Sequence, residues 1–257
     1  MNKVLLISID GLRSDGLKAC GNPYVEELEK LCTYTYNGAS LYPPVTLPCH
    51  YSMAYSVAPE EHGIMDNNFV CNDRSRKGIF EAVKNAGGRC AIFYGWEELR
   101  DVARPSAMKY SVYVDCFSHE SVDTILTDCA EKLMEAEGPE LVFLYMVDTD
   151  DKGGHHNGWM SEEYLRRASI AIDNVRRMIE KFGDEYTVVI MSDHGGHDDW
   201  HGSNIPEDMV VPFFIYGKGF EGGAQFESMS LLDIAPTIAD IMGIAPEENW
   251  KGRSLKG

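Results

Sequence analysis

The chain has 257 residues, and its 23 basic side chains stand against 41 acidic ones, a formal net charge of −18. This length is enough for a substantial core, and the acidic excess argues against a nucleic-acid-binding surface. A site that accepts phosphate on such a surface would need positive charge from bound metal ions.

The N-terminus and the cysteines bear on the compartment. A strand-like run begins within two residues of Met1, which leaves no room for a signal peptide, and no apolar run approaches the length of a bilayer span. The seven cysteines are scattered and contain no C-x-x-C pair, which argues against a disulfide framework and a cysteine zinc site. We therefore expect a cytoplasmic protein without membrane contact; its oligomeric state is left open.

Strand-like and helix-like segments alternate along the chain. Short apolar runs predict buried strands at residues 3–9, 89–94, 110–116, 141–147, 185–191 and 211–216. Helices are predicted at residues 23–32, 46–57, 75–86, 121–137, 161–182 and 231–242. Their ends are marked by capping residues, acids in the first turn and terminal glycines. The alternation predicts an α/β fold, with a mostly parallel central sheet and helices on both faces, formed by one domain over residues 1–257.

Carboxylate and imidazole side chains gather where three predicted strands end. Asp10 ends the first strand, residues 148–155 follow the fourth, and Asp193 and His194 follow the fifth. Thr46 lies in a loop that enters a helix. Ligands bind beyond the carboxyl ends of parallel strands, so these distant segments are expected to converge on one edge. Oxygen and imidazole donors in one place predict a divalent metal centre.

Short motifs occur in a fixed order: IDG (9–11), PPVTLPCH (43–50), HGIMDN (62–67), DKGGH (151–155) and SDHG (192–195). LLDIAPTIADIMGI (231–244) and GRSL (252–255) close the series. Together they resemble the alkaline phosphatase superfamily, and within it the type I phosphodiesterase/nucleotide pyrophosphatase family. The resemblance implies a three-layer, alkaline-phosphatase-like sandwich. We expect no large cap domain, because only about one helix and one strand separate Asp151 from Asp193.

The resemblance also implies two divalent metal ions, expected to be zinc, with manganese left open. One ion would be held by Asp10, Thr46, Asp193 and His194. The other would be held by Asp151, His155 and His201. Two ions roughly 3.5–4 Å apart can clamp the attacking and leaving oxygens of an in-line displacement.

Thr46 and Asn67 are the predicted catalytic residues. By the resemblance, Thr46 is the nucleophile, and metal coordination would activate its hydroxyl. Asn67, in HGIMDN, would contact the phosphate and stabilise a non-bridging oxygen. From the residues alone, the favoured role of Thr46 is to cap its helix, and Asn67 is equally suited to occupy a turn with its neighbours.

Other histidines and acids near these motifs have weaker assignments. His197 competes with His201 for one ligand position, and the His-Gly dipeptide of the family favours His201. Asp148 and Asp150 are interpreted as support for the ligand loop, and His156 as a surface neighbour. Structural or surface positions are assigned to His50, His62 and His119.

The expected function is a phosphoryl-transfer hydrolase that cleaves phosphodiester or pyrophosphate bonds of a small phosphorylated substrate through a phosphothreonine. The threonine motif contains no lysine or arginine, which favours a diester; a phosphomonoesterase is the alternative. Three other classes fit less well. A sulfatase needs a different nucleophile, and a phosphomutase needs a large cap domain. A non-catalytic ligand-binding relative would usually have lost a metal ligand or the nucleophile. The substrate pocket is expected from residues 69–76, residues 94–105, Trp159 and Trp200.

Overall fold

The computed structural model describes residues 1–70 and 75–256, which are organised by one seven-stranded sheet. Its strands are β1 (Lys3–Ile9), β2 (Thr33–Ala39), β3 (Cys90–Tyr94), β4 (Met108–Tyr113), β5 (Leu141–Met146), β6 (Tyr186–Met191) and β7 (Val210–Tyr216). Across the sheet their order is β2-β7-β6-β1-β5-β3-β4. The first strand, β1, therefore lies at the centre.

The sheet is mostly parallel, as the sequence predicts. β1 pairs in parallel with β5 and β6, and β3 pairs in parallel with β5 and β4. Only β7 runs against its neighbours, β6 and β2. The register pairs Ile9 with Met146 and Ser8 with Met191. The carboxyl ends of three adjacent strands are thus level, so the residues that follow them meet at one edge.

Helices cover the sheet in two groups. The α-helices are α1 (Ser14–Ala19), α2 (Tyr24–Leu31), α3 (Thr46–Tyr55), α4 (Pro59–His62), α5 (Ile79–Asn85), α6 (Val122–Glu137), α7 (Glu162–Phe182), α8 (Pro206–Met209) and α9 (Ile234–Met242). α7 packs against α1, α2 and α6, whereas α9 packs against α3 and α5. The described residues form no separate cap, and the predicted three-layer fold is confirmed. No helix in this part of the chain has both the length and the apolar character needed to cross a bilayer.

The longest helix, α7, shows how local sequence sets its bounds. The Ser161 side chain accepts a hydrogen bond from Tyr164 N at 3.2 Å, and Glu162 and Glu163 occupy the first turn. Both features stabilise a helix N-terminus. Buried positions recur three or four residues apart, at Ala168, Ala171, Ile172, Val175, Met178 and Ile179. This apolar stripe faces the core and leaves the charged face to solvent.

β2 and α5 are two of the elements that differ from the sequence prediction, which also lacks the short helices α1, α4 and α8. β2 was not predicted, because its sequence TYTYNGA is polar and only alternate residues of its first half are buried. Its pairing with β7 at the sheet edge is a tertiary contact, which the local sequence does not show. The helix predicted at residues 75–86 begins at Ile79. Gly78 precedes it, and the Gly78 backbone N–H donates to Glu81 Oε2 at 3.0 Å.

Truncation of the central strand should be costly. Leu6 lies within β1 and is fully buried, so Leu6→Ala is expected to lower the free energy of unfolding by about 2–5 kcal/mol, because it leaves a cavity. Urea denaturation measures this loss. Met65→Ala is the control, since this side chain is 47% exposed and its truncation should cost less than about 1 kcal/mol. Equal losses in the two variants would contradict this account of the core.

Candidate metal centre

The ends of two neighbouring strands and the start of α3 supply the first group of ligand-type side chains. Asp10 follows β1, and Asp193 and His194 follow β6. His194 Nε2 lies 3.3 Å from Asp10 Oδ1 and 3.3 Å from Asp193 Oδ2. Thr46 Oγ1, at the start of α3, lies 3.1 Å from the same Nε2. The structure therefore brings together all four residues predicted for the first metal, and all four are buried.

A second group lies beside the first and shares His194. Its members are Asp150, His194 and His201, all buried. His201 Nε2 is 4.0 Å from Asp150 Oδ1, and His155 Nε2 is 3.4 Å from Asp150 Oδ2. The rings of His194 and His201 stack with centroids 3.9 Å apart. The two predicted metal positions are thus contiguous, with the histidine loop after β6 contributing to both.

A π-helical segment, Thr149–His155, decides which acid joins the second group. The backbone N–H of His156 reaches Asp151 O, a spacing of five residues. A π-turn brings residues five apart onto one side, and Asp150 and His155 have that spacing. Sequence reasoning considered only the four-residue spacing of Asp151 and His155, and assigned Asp150 to support. In the structure Asp150 enters the ligand group, while Asp151 lies in the wall of the adjoining cavity.

Three carboxylate oxygens of these groups have no hydrogen-bond partner among the described residues: Asp10 Oδ1, Asp150 Oδ1 and Asp193 Oδ2. A buried unpaired carboxylate oxygen is costly, so these atoms are suited to bind a cation. The donor set of carboxylates, imidazoles and one hydroxyl suits a divalent ion such as zinc. The residues present therefore fit the two predicted metal ions.

The pKa values of these acids reflect their burial and their closeness to one another. Burial, together with the charges of Asp193 and Asp150, raises the pKa of Asp10 well above its ordinary value. Burial, followed by the charge of Asp193, also raises the pKa of Asp150. For Asp193, burial acts upward, but the neighbouring His194 and His50 outweigh it and hold the pKa below its usual range. Carboxylates this close oppose each other's ionisation, and a cation between them relieves the repulsion.

The three histidines are oriented by backbone carbonyl groups. The Nδ1 atom of His194 faces Gly195 O at 2.7 Å, that of His201 faces Pro44 O at 2.9 Å, and that of His155 faces Asp199 O at 2.9 Å. A carbonyl oxygen only accepts, so each Nδ1 carries the proton and each Nε2 keeps its lone pair for a metal. Burial lowers the pKa of His194 and lowers that of His201 to about 2, which keeps both rings neutral.

Thr46 does not cap its helix. Val45 occupies the N-cap position, and Thr46 is the first residue of α3, with its hydroxyl turned toward His194. Asn67 supplies the hydrogen bond at this helix end instead, because its Oδ1 accepts from Leu47 N at 3.1 Å. The turn proposed around Asn67 also exists, but Asp66 forms it by accepting from Asn68 N at 2.8 Å.

Two buried side chains that sequence reasoning did not place in the site support its acids. Tyr145, in β5, donates its hydroxyl hydrogen to Asp10 Oδ2. His50, predicted to be structural, lies with Nδ1 2.8 Å from Thr46 O and 3.3 Å from Asp193 Oδ2. His50 Nε2 meets Ser8 Oγ at 2.9 Å. The four-residue spacing of Thr46 and His50 on one helix face was the available signal.

A small cavity of about 130 Å³ opens onto both groups. Its lining comprises Asp10, Thr46, Asn67, Trp96, Cys116, Phe117, Tyr145, Val147, Asp150, Asp151, His155 and His201. It adjoins a cleft of about 630 Å³ through Cys116, Phe117 and Asp151.

Of the predicted pocket residues, Trp96 lines the cavity, and Trp200 stacks on His201 with ring centroids 5.8 Å apart. Trp159 donates its indole hydrogen to Gly11 O and is buried. Phe117 was missed, and residues 71–74 of the predicted range lie outside the described part.

Comparison with known proteins identifies the family. Residues 4–199 match the family model described as type I phosphodiesterase / nucleotide pyrophosphatase. The chain belongs to this family. The family and the ectonucleotide pyrophosphatase/phosphodiesterases among its relatives are hydrolases of the alkaline phosphatase superfamily.

Two curated relatives and two solved structures illustrate the similarity. Ectonucleotide pyrophosphatase/phosphodiesterase family member 1 of Mus musculus is 27% identical over 221 residues, or 74% of this chain and 24% of that protein. Phosphopentomutase of Shewanella loihica is 28% identical over 177 residues, or 67% of this chain and 40% of that protein. This chain thus spans about a quarter of the former relative's length, since 24% is covered.

The solved structures establish the fold. An inactive form of murine ectonucleotide pyrophosphatase / phosphodiesterase 5, in complex with AMP, superposes with a TM-score of 0.82 at 16% identity, covering 98% of each chain. The phosphonate monoester hydrolase of Silicibacter pomeroyi gives a TM-score of 0.77 at 16% identity, covering 99% of this chain and 76% of that one.

Metal removal should destabilise the folded protein, because the buried carboxylates then repel one another without compensation. At a zinc concentration about a hundredfold above Kd, we expect the Tm to exceed that of chelator-treated protein by about 5–10 °C. Differential scanning calorimetry measures the difference. A Tm that zinc leaves unchanged would argue against a metal centre.

The choice between the two neighbouring acids can be tested directly. Asp150→Asn and Asp151→Asn each remove one negative charge, so they are matched variants. We expect Asp150→Asn to weaken binding of the second zinc ion about 10–100-fold and Asp151→Asn to weaken it less than about threefold. Calorimetric titration of metal-free protein gives both affinities. The reverse ranking would assign the ligand to Asp151.

Proposed function

We propose that this protein is a two-metal phosphoryl-transfer hydrolase that cleaves phosphodiester or pyrophosphate bonds of a small phosphorylated substrate through a phosphothreonine at Thr46. One observation carries the proposal: Thr46 Oγ1 lies 3.1 Å from His194 Nε2, inside the group that His194 forms with Asp10 and Asp193. A threonine hydroxyl with only a capping role would have no reason to face metal-ligand atoms.

Two divalent ions, with zinc the proposed identity, would lower the pKa of the Thr46 hydroxyl and stabilise negative charge on the attacking and leaving oxygens. Asp10, Thr46, Asp193 and His194 would hold the first ion. For the second, the structure supports His155, His201 and Asp150, with Asp151 as the alternative acid.

The reaction proceeds in two displacements at phosphorus. In the first, a bond forms between Thr46 Oγ1 and phosphorus as the hydroxyl loses its proton, and the bond from phosphorus to the leaving oxygen breaks, with a proton taken up by that oxygen. In the second, the oxygen of a water molecule bonds to phosphorus and loses a proton, and the Thr46 Oγ1–phosphorus bond breaks, with a proton returned to Oγ1 to restore the hydroxyl. His155 and His201, which line the cavity together with Thr46, would hold the ion that stabilises the leaving oxygen and activates the water.

Asn67 and the N-terminus of α3 are suited to bind the transferred phosphoryl group. Because Asn67 Oδ1 accepts from Leu47 N, its amide nitrogen is the end left to donate, and Asn67 lines the cavity. The positive end of the helix dipole lies at Thr46 and favours an anion there. These donors would stabilise a non-bridging oxygen as charge develops on it.

The charges of the cavity favour a diester over a monoester. No lysine or arginine belongs to its lining within the described part of the chain. Lys152, which lies in the metal motif, instead donates to Asp148 Oδ1 at 2.7 Å and to Glu120 O at 3.1 Å. A phosphomonoester carries a further negative charge that no cationic side chain of this lining would balance, so we rank the phosphodiesterase first.

Removal of the proposed nucleophile tests the proposal. Thr46→Ala should lower kcat on an aryl phosphodiester by about a thousandfold or more, because the other hydroxyl of the lining, that of Tyr145, donates its hydrogen to Asp10 Oδ2. Thr46→Ser keeps the hydroxyl and should retain far more activity. Acid-quenched wild-type enzyme should carry phosphate on the peptide containing Thr46. Near-wild-type turnover by Thr46→Ala would sink the assignment.

The ranking of substrates needs its own measurement. With zinc-loaded enzyme and paired aryl phosphate mono- and diesters, we expect kcat/KM for the diester to exceed that for the monoester by at least about tenfold, since one uncompensated charge near the site costs on the order of 1 kcal/mol or more. A strong preference for the monoester would make the protein a phosphomonoesterase on the same centre.

A further inference from the structure

His197 has no part in the reaction described above, yet it lies in a tight turn that directly precedes His201. Its backbone N–H donates to Trp200 O at 2.8 Å, and Trp200 N donates to His197 O at 2.9 Å. Asp198, inside the turn, has a φ of 48°, a left-handed conformation that the closed turn enforces. The direction in which the chain enters His201 is therefore set by this turn.

One buried carboxylate, that of Asp208, ties down the chain on both sides of His201. Its Oδ1 accepts a hydrogen bond from His197 Nδ1 at 2.7 Å. Its Oδ2 accepts from Gly202 N at 3.0 Å and from Ser203 N at 2.7 Å. Asp208 is fully buried, whereas the His197 side chain is 29% exposed. The segment from His197 to Ser203 is thus held at its two ends by the same side chain.

We propose that His197 is a positioning residue: through Asp208 it holds His201 Nε2 at the second metal position. The inference rests on the two-metal function proposed above. The hydrogen bond from His201 Nδ1 to Pro44 O orients the imidazole ring, but it does not fix the backbone from which the ring projects. The bonds to Asp208 do so, and His197 provides the only one of the three that comes from a side chain.

The same geometry separates the roles of the two histidines that compete in the sequence. Within the described residues, the groups of ligand-type atoms contain His201 and not His197. His197 instead directs its Nδ1 at a carboxylate that belongs to neither group. Its contribution is therefore to ligand placement, which binding of the second metal ion should report more sharply than overall stability does.

Calorimetric titration of metal-free protein with Zn²⁺ tests this role, using wild type, His197→Ala and His197→Asn. We expect His197→Ala to weaken the second binding step about 10–100-fold and the first less than about threefold, as is usual when a hydrogen bond behind a metal ligand is lost. His197→Asn should recover most of the affinity, because the asparagine amide nitrogen can occupy the position of Nδ1. His119→Ala is the control: this histidine is exposed and belongs to neither group of ligand-type atoms, so its removal should leave both steps unaltered.

A second readout excludes a general loss of stability. The visible spectrum of Co²⁺-loaded His197→Ala should show altered bands for the second site alone, while the Tm of metal-free protein stays within a few degrees of wild type. Wild-type affinities in His197→Ala, or equal weakening of both steps with a matching fall in Tm, would overturn the inference. Wild-type protein that binds fewer than two zinc ions would refute the two-metal function itself, and this inference with it.

Discussion

Buried negative charge at the carboxyl edge of β6, β1 and β5 is the constraint on which the rest of the site depends. Asp10, Asp150 and Asp193 are all buried, and each has one oxygen without a hydrogen-bond partner in the described structure. Carboxylates in such surroundings are stable only when paired or bound to cations. The level register of the three strands places them together, and Tyr145 and His50 contact Asp10 and Asp193 respectively.

The histidines complete this arrangement because the backbone decides which nitrogen faces the acids. A carbonyl oxygen lies against Nδ1 of His155, His194 and His201, so every Nε2 is left as a lone-pair donor toward the cavity. Positive charge for a phosphate would then come from metal ions, since no lysine or arginine belongs to the described lining. A metal source of positive charge agrees with the net charge of −18, because a surface with this acidic excess does not attract anions.

Much of the fold was predictable because parallel strands buried on both faces must be apolar throughout. The runs that became β1, β5 and β6 show this pattern, and their bounds agree within one residue. β2 was missed because a polar edge strand is recognisable only beside its partner β7. The helix at 79–85 was placed four residues too early, since no periodicity distinguishes the chain before Gly78 from the first turn.

The sequence by itself determined the α/β class, the apolar strands, and the acids and histidines that follow them, because residue type and short-range spacing carry this information. Only the tertiary structure decided which of these side chains meet. A π-turn shifts the contact of His155 from Asp151 to Asp150, a distinction of one residue that depends on backbone hydrogen bonds. His197 is paired with Asp208, eleven residues away, because a buried carboxylate needs hydrogen-bond donors and the folded loop brings this imidazole next to it. Spacing along a chain limits such contacts, whereas packing selects among them.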